Sequence, residues 1–305
     1  MFKARLRALP IAIVAIVFAS FLASPAQAAV TKYPLIIKFG GYTAKIAKKP
    51  TKIISLSPSA TEIFYAVGAG SQILAVDNLS NYPAKAPMSE ISAFEPSVEA
   101  ILAKKPDLVL LSIDSTKAPQ IRSTLLQLGI PVLMEKAPAT LNDVYAENTA
   151  LGQVTDHAEG ALKLNASMAK SIKDVLAKAK KSSKIRIFHE IDDNYYSVTS
   201  NTFIGKVYKD FGASNIADAA AGADNSGYPQ LSAEYLLKSD PQVIFLADAQ
   251  YGVAAQSVSK RAGWSQISAV KNKKIVELPA DIPSRWGPRL VDFYKLIGAS
   301  LAKVS

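Results

Sequence analysis

The sequence predicts an α/β protein of two lobes, each built on a mostly parallel sheet and joined to the other by one long helix. Three observations carry this. One template occurs twice, 135 residues apart: Ser97-Val98-Glu99-Ala100-Ile101-Leu102 with Pro106-Asp107, and Ser232-Ala233-Glu234-Tyr235-Leu236-Leu237 with Pro241-Gln242. In each copy a Ser caps a helix, a Glu sits in its first turn, and a Pro stops it before an apolar strand, Val109-Leu110-Leu111 or Val243-Ile244-Phe245-Leu246. An offset this long fits duplicated domains, not a solenoid. Second, apolar runs of strand length alternate with helical patterns, as in parallel sheets covered on both faces. Third, Ala161, Leu164, Met168, Ile172, Val175 and Ala179 fall three or four apart between Asp156 and Lys181, a stretch with no Pro and no Gly after Gly160. About 25 residues at 1.5 Å each make a helix of roughly 37 Å, enough to bridge two lobes.

The elements follow in order. Lys3, Arg5 and Arg7 precede an apolar run from Ala8 to Leu22 and the small-x-small sequence Ala26-Gln27-Ala28. Residues 1–28 read as a signal peptide cleaved near Ala28, because the run is short for a spanning helix and is broken by Pro10. The mature chain is expected to be periplasmic or secreted. With no cysteine it has neither a disulfide framework nor a lipid anchor on an N-terminal Cys. Residues 29–155 read as the N-terminal lobe, 156–181 as the interlobe helix and 182–305 as the C-terminal lobe. The first lobe opens with a β-hairpin turning at Gly40-Gly41. Lys52 to Leu56 then forms a strand, followed by a helix opened by Ser57-Pro58-Ser59 and ended by Gly68. Further strands fall at Ile73-Leu74-Ala75-Val76 and Pro131-Val132-Leu133-Met134, with a helix near Pro119 to Leu128. The second lobe starts at Lys184-Ile185-Arg186-Ile187-Phe188 and ends in a helix from about Pro288 to Lys303.

Thirty-five Lys+Arg less the three leader cations leave 32 against 25 acids, a formal charge of +7. The lysines are scattered and not interleaved with aromatics, which reads as a solvated surface and gives no support to nucleic-acid binding.

Several segments invite chemistry. Gly68-Ala69-Gly70 fails as a dinucleotide fingerprint because it ends a helix and precedes a strand. His189-Glu190-Ile191-Asp192-Asp193 resembles a metal cluster, but the chain has one other histidine, His157, and no cysteine, so no metal site is assigned. Its position at a strand's C-terminal end keeps Glu190, Tyr195 and Tyr196 as candidate cleft residues. A secreted enzyme using His189 with Asp192 and Asp193 as acid and base is the reading from another class. The loop Asp281-Ile282-Pro283-Ser284-Arg285-Trp286-Gly287-Pro288-Arg289 joins a carboxylate, two guanidiniums and an aromatic before the last helix. Glu99 and Glu234 complement their helix N-termini. Their matched placement also suits docking on a two-fold symmetric partner.

Lys52 through Glu62, Asn81-Tyr82-Pro83, both template copies, Ser200-Asn201-Thr202-Phe203-Ile204-Gly205 and Ser284 through Arg289 together resemble the substrate-binding proteins of ABC importers for cobalamin, haem and ferric siderophores, from about Tyr33 to the C-terminus. The resemblance implies two Rossmann-like lobes joined by one rigid helix, a ligand held between them without catalysis, and a monomer that serves a permease dimer with its ATPase. It implies that Glu99 and Glu234 dock on permease arginines. In the cobalamin binders, cleft aromatics match Phe94 and Tyr228, and a polar pair matches Asp281 and Arg285. A tyrosine of those binders falls at Leu79, and Phe94 replaces a tryptophan. Ala93-Phe94-Glu95 lacks the tyrosine common in haem binders, which disfavours haem. No cofactor is implied; a corrinoid or ferric chelate would be the cargo, and a ferric siderophore or haem receptor is the alternative within the family.

Overall fold

The computed structural model describes residues 30–179, 184–220 and 226–304, so the leader assigned from the sequence lies outside the described residues. β1 (Leu35–Phe39) and β2 (Tyr42–Ile46) form an antiparallel hairpin whose turn residues, Gly40 and Gly41, have φ of 56° and 87°. Gly40 is needed twice over, because a Cβ there would lie 1.7 Å from the carbonyl oxygen of Met134. The hairpin thereby seats on the edge of the first sheet.

That lobe comprises β3 (Ile53–Leu56), α1 (Pro58–Val67), β4 (Ile73–Val76), α2 (Val98–Ala103), β5 (Leu108–Ser112), α3 (Ala118–Gln127) and β6 (Val132–Glu135). Its sheet is parallel throughout, in the order β4-β3-β5-β6. Ser57 caps α1 by accepting from the Ala60 N–H, Pro58 occupies its first turn, and Gly68 ends it at φ 102°.

Two helices follow, α4 (Leu141–Val154) and α5 (Ala158–Lys178). The second lobe then contains β7 (Arg186–Glu190), α6 (Phe203–Asp210), β8 (Ser214–Asn215), α7 (Ala217–Ala220), α8 (Ala233–Ser239), β9 (Val243–Leu246), α9 (Ala255–Val258), α10 (Ser268–Lys271), β10 (Ile275–Glu277) and α11 (Leu290–Ala302). Its parallel sheet runs β10-β9-β7-β8. Counted from the first strand of each lobe, both sheets read 2-1-3-4, and helices flank both.

The duplicated template serves one purpose twice. Ser97 accepts from the Ala100 N–H and Ser232 from the Tyr235 N–H. The residue after each Pro then starts the third strand against the first: Asp107 N–H donates to Lys52 O at 2.9 Å, and Gln242 N–H to Arg186 O at 2.8 Å. Their side chains accept in return, Asp107 from the Thr51 and Lys52 amides and Gln242 from the Arg186 amide.

α5 is the strut. Its 21 residues span about 31 Å at 1.5 Å each. Near its start Gly160 meets α1 so closely that a Cβ would lie 1.9 Å from Val67 O; near its end Val175 faces Gly298 of α11. Ala161 belongs to the first lobe's core, Met168 and Ile172 to the second's, and Leu164 packs on both. α4 makes the same crossing in the other direction, with Val144 in the second core and Leu151 and Val154 in the first. Asn148 Nδ2 donates to Asn165 Oδ1 at 2.8 Å, and Asn165 Nδ2 donates to Tyr145 O at 2.9 Å, stapling the pair. The sequence reading assigned no element to α4. Glu147 and Asn148 lie on its buried face and interrupt the apolar period, although Thr140 and Asp143 form a capping box at its start.

Candidate functional site

In a sheet of order 2-1-3-4 the connections leave the first and third strands toward opposite faces, which opens a crevice at their C-terminal ends. Here a cleft of about 340 Å³ lies between the C-terminal edges of the two sheets. The loops after β3, β4, β5 and β6 supply one wall, and those after β9 and β10 the other.

Phe94, Asp281 and Arg285 line this cleft together. Phe94 is 62% exposed, a large cost for a phenyl ring unless something covers it. Its loop is held by the Ala93 amide donating to Asn78 Oδ1 and the Glu95 amide donating to Ser92 Oγ. Tyr251, 80% exposed, stands on the opposite wall. Tyr228 is 46% exposed and is not among the residues that line the cleft; burial and the Asp114 carboxylate raise its phenol pKa.

Both guanidiniums near the cleft are already engaged. Arg285 Nη2 donates to Asp281 Oδ1 at 3.2 Å, while Asn81 of the first lobe donates to Asp281 Oδ2 at 2.8 Å. Arg289 donates from Nε to Glu62 Oε1 at 3.0 Å and stacks over Tyr82 at 4.4 Å. Burial raises the Glu62 carboxyl above its ordinary range against the pull of Arg289. The sequence singled out Arg289 in its loop but not its partner; a glutamate on the apolar face of α1, among Ile63, Phe64 and Val67 and 227 residues away, was the signal that could have found it.

Other candidates lie elsewhere. Glu190 is fully buried at the end of β7 and pairs with Arg261 through two contacts of 2.7 Å, under a guanidinium that stacks on Tyr195 and Trp264. It does not line the cleft. Burial pushes its carboxyl up to about 7 despite Arg261. Tyr196 is half-exposed and bridged through its backbone to Gln230, beside Tyr228 but not lining the cleft. His189 is sealed in the core, its Nδ1 paired with the Tyr208 hydroxyl at 2.8 Å, and burial drives its pKa down to about 3. Asp192 accepts from the Asn194 and Tyr196 amides of its own loop. The imagined acid–base set is therefore split between core and turn, because β7 is buried on both faces and turns His189 inward. Glu99 and Glu234 are exposed in the first turns of α2 and α8, and the Ser97 hydroxyl, donating to Glu99, holds that carboxyl below its usual range.

The sequence profile of the family described as periplasmic binding protein matches residues 53–282, from β3 to the loop before α11. The chain belongs to this family. Among its relatives, an ABC transporter substrate-binding lipoprotein of Bacillus subtilis, YvrC, is 34% identical over 264 residues, covering 84% of this chain and 81% of its own. The vitamin B12-binding protein of Vibrio cholerae is 30% identical, covering 82% of this chain and 90% of its own. In solved structures the fold superposes on a possible iron-binding, periplasmic solute-binding protein of Staphylococcus epidermidis with a TM-score of 0.72 at 27% identity, covering 83% of this chain and 99% of that one. Family and fold together make this chain a solute-binding protein that delivers its cargo to an ABC importer.

Proposed function

We propose that the cargo is a cobalamin-like corrinoid or a chelated iron, captured in the interlobe cleft and handed to a permease dimer with its ATPase. The observation that carries this reading is the pair of exposed rings that line one cleft, Phe94 from the first lobe and Tyr251 from the second, to which the reading adds the half-exposed Tyr228 as a ring at the rim. Such rings offer a flat, apolar and partly polarisable surface to a broad ligand. The cleft takes one edge of such a molecule, and the remaining bulk stands against the rings. Relatives named for vitamin B12, cobalamin and iron support the same class.

The protein acts as a monomer and makes or breaks no bond. Its lobes keep one spacing, since hinge motion must bend α4 and α5 together. Glu99 and Glu234, one per lobe, dock on basic pockets of the permease. Thermal unfolding with and without cyanocobalamin, haem and a set of ferric chelates tests the ligand class. One of the corrinoid or chelate ligands raises the midpoint in proportion to its affinity. A midpoint unmoved by all of them would remove that class.

A further inference from the structure

The floor of the cleft is acidic, and the cation that lines the cleft, Arg285, is held by Asp281 through Nη2 and keeps its Nε buried without a partner. Glu135, at the end of β6, is 1% exposed and lines the cleft; Glu147, on α4, is 8% exposed. The two carboxyls interact, with Ser57 and the Trp286 indole beside Glu135 and Asp114 as the next charge. Glu135 Oε1, Glu147 Oε1 and Trp286 Nε1 are all buried and find no partner outside this cluster. Among the described residues no Lys, Arg or His pairs with Asp114, Glu135 or Glu147, because Arg285 is engaged by Asp281 and Arg289 by Glu62. Glu147 itself lines a separate cavity on the hairpin side, together with Lys38 and Lys136, and reaches the cleft only through Glu135.

Two buried carboxyls in contact cannot both ionise at modest cost, so the pair holds a proton between them. Burial and mutual charge both act in that direction, raising Glu147 well above the ordinary range. Such a floor still offers acceptor oxygens, and it repels a third anionic oxygen.

Resting on the receptor reading above, we infer that this cleft selects neutral or cationic ligands that present amide or ammonium N–H donors, which Glu135 accepts at its floor, and refuses ligands that would place a carboxylate or phenolate there.

The test pairs ligands by charge. Equilibrium binding is measured for cyanocobalamin against a derivative with one amide hydrolysed to carboxylate, for ferrioxamine B against its N-succinyl form, which ends in a carboxylate, and for haem and ferric enterobactin. The wild type should bind the amide or ammonium member of a pair at least about tenfold more tightly, and Glu135→Gln, whose amide can donate to an anion, should narrow the ratio to about threefold or less. Infrared difference spectra at neutral pH, wild type minus the Glu135→Gln/Glu147→Gln double variant, should show a protonated-carboxyl stretch beyond that of Glu190, with the far-ultraviolet circular dichroism of the variant unchanged. Binding of ferrioxamine B but not cyanocobalamin would remove the corrinoid from the functional reading and leave the donor floor standing. Binding of haem or ferric enterobactin alone would overturn the floor and leave the receptor standing. Binding of none would overturn both. A spectrum without the protonated band, or a ratio unchanged in Glu135→Gln, overturns the inference whatever binds.

Discussion

Arg289, in the loop before α11, donates from both Nε and Nη2 to a single oxygen of Glu62 on α1, and so fastens the C-terminal lobe to the N-terminal one beside the cleft. Glu62 is 2% exposed and its other oxygen is buried without a partner, so this contact holds a carboxylate where water cannot.

Removing one member should therefore cost more than removing both. Arg289→Met is expected to destabilise the fold by about 3–5 kcal/mol, because it strands a buried charge, and a second substitution, Glu62→Leu, should recover most of that loss. A urea double-mutant cycle reads it. A single variant within about 0.5 kcal/mol of wild type would show that the clamp carries no weight.

His189 makes stability depend on pH in a direction fixed by its burial. Its pKa falls from 6.5 to about 3 in the folded chain, so the unfolded chain binds the proton first and stability is lost as pH drops through that interval. The slope it adds approaches about 1.4 kcal/mol per pH unit. Denaturant titrations across that range should show this component in the wild type and not in His189→Phe; equal slopes would contradict the burial.

The rim aromatics should separate affinity from stability. Phe94→Ala and Tyr228→Ala are each expected to weaken ligand binding about tenfold or more while leaving the unfolding midpoint nearly unchanged, since exposed rings contribute little to the fold. Calorimetric titration checks the first part and a thermal scan the second. Unchanged affinity in both variants would move the ligand elsewhere.

Docking is tested by charge. Glu99→Arg with Glu234→Arg should abolish most stimulation of the importer's ATPase in reconstituted vesicles and leave ligand affinity within about twofold. A loss of affinity would place these acids in ligand binding instead.

Much of the frame was readable because its signals are local. Ser57, Ser97 and Ser232 announce their helices, Gly40-Gly41 its turn, and β5 and β9 their burial through unbroken Val, Ile and Leu runs. The duplicated template pointed to two similar lobes, and in each it leads into the third strand of a sheet; the shared 2-1-3-4 order itself came from the structure. What stayed hidden depends on contacts between distant residues. Glu62 finds Arg289, Asn81 finds Asp281, and Glu135 meets Glu147 and Trp286 only after the lobes pack. The same logic misled at His189-Glu190-Ile191-Asp192-Asp193, where neighbours in sequence disperse to a core tyrosine, a buried arginine and a turn.

Native mass spectrometry of the protein purified from the cells that make it, read beside its absorption spectrum, bears most directly on whether a broad cargo sits between the lobes. The predicted result is one equivalent of a corrinoid or ferric chelate on the wild type, lost from the Phe94→Ala/Tyr228→Ala double variant. A chain that carries no such cargo even after incubation with both classes, or that keeps it equally in the double variant, would contradict that placement.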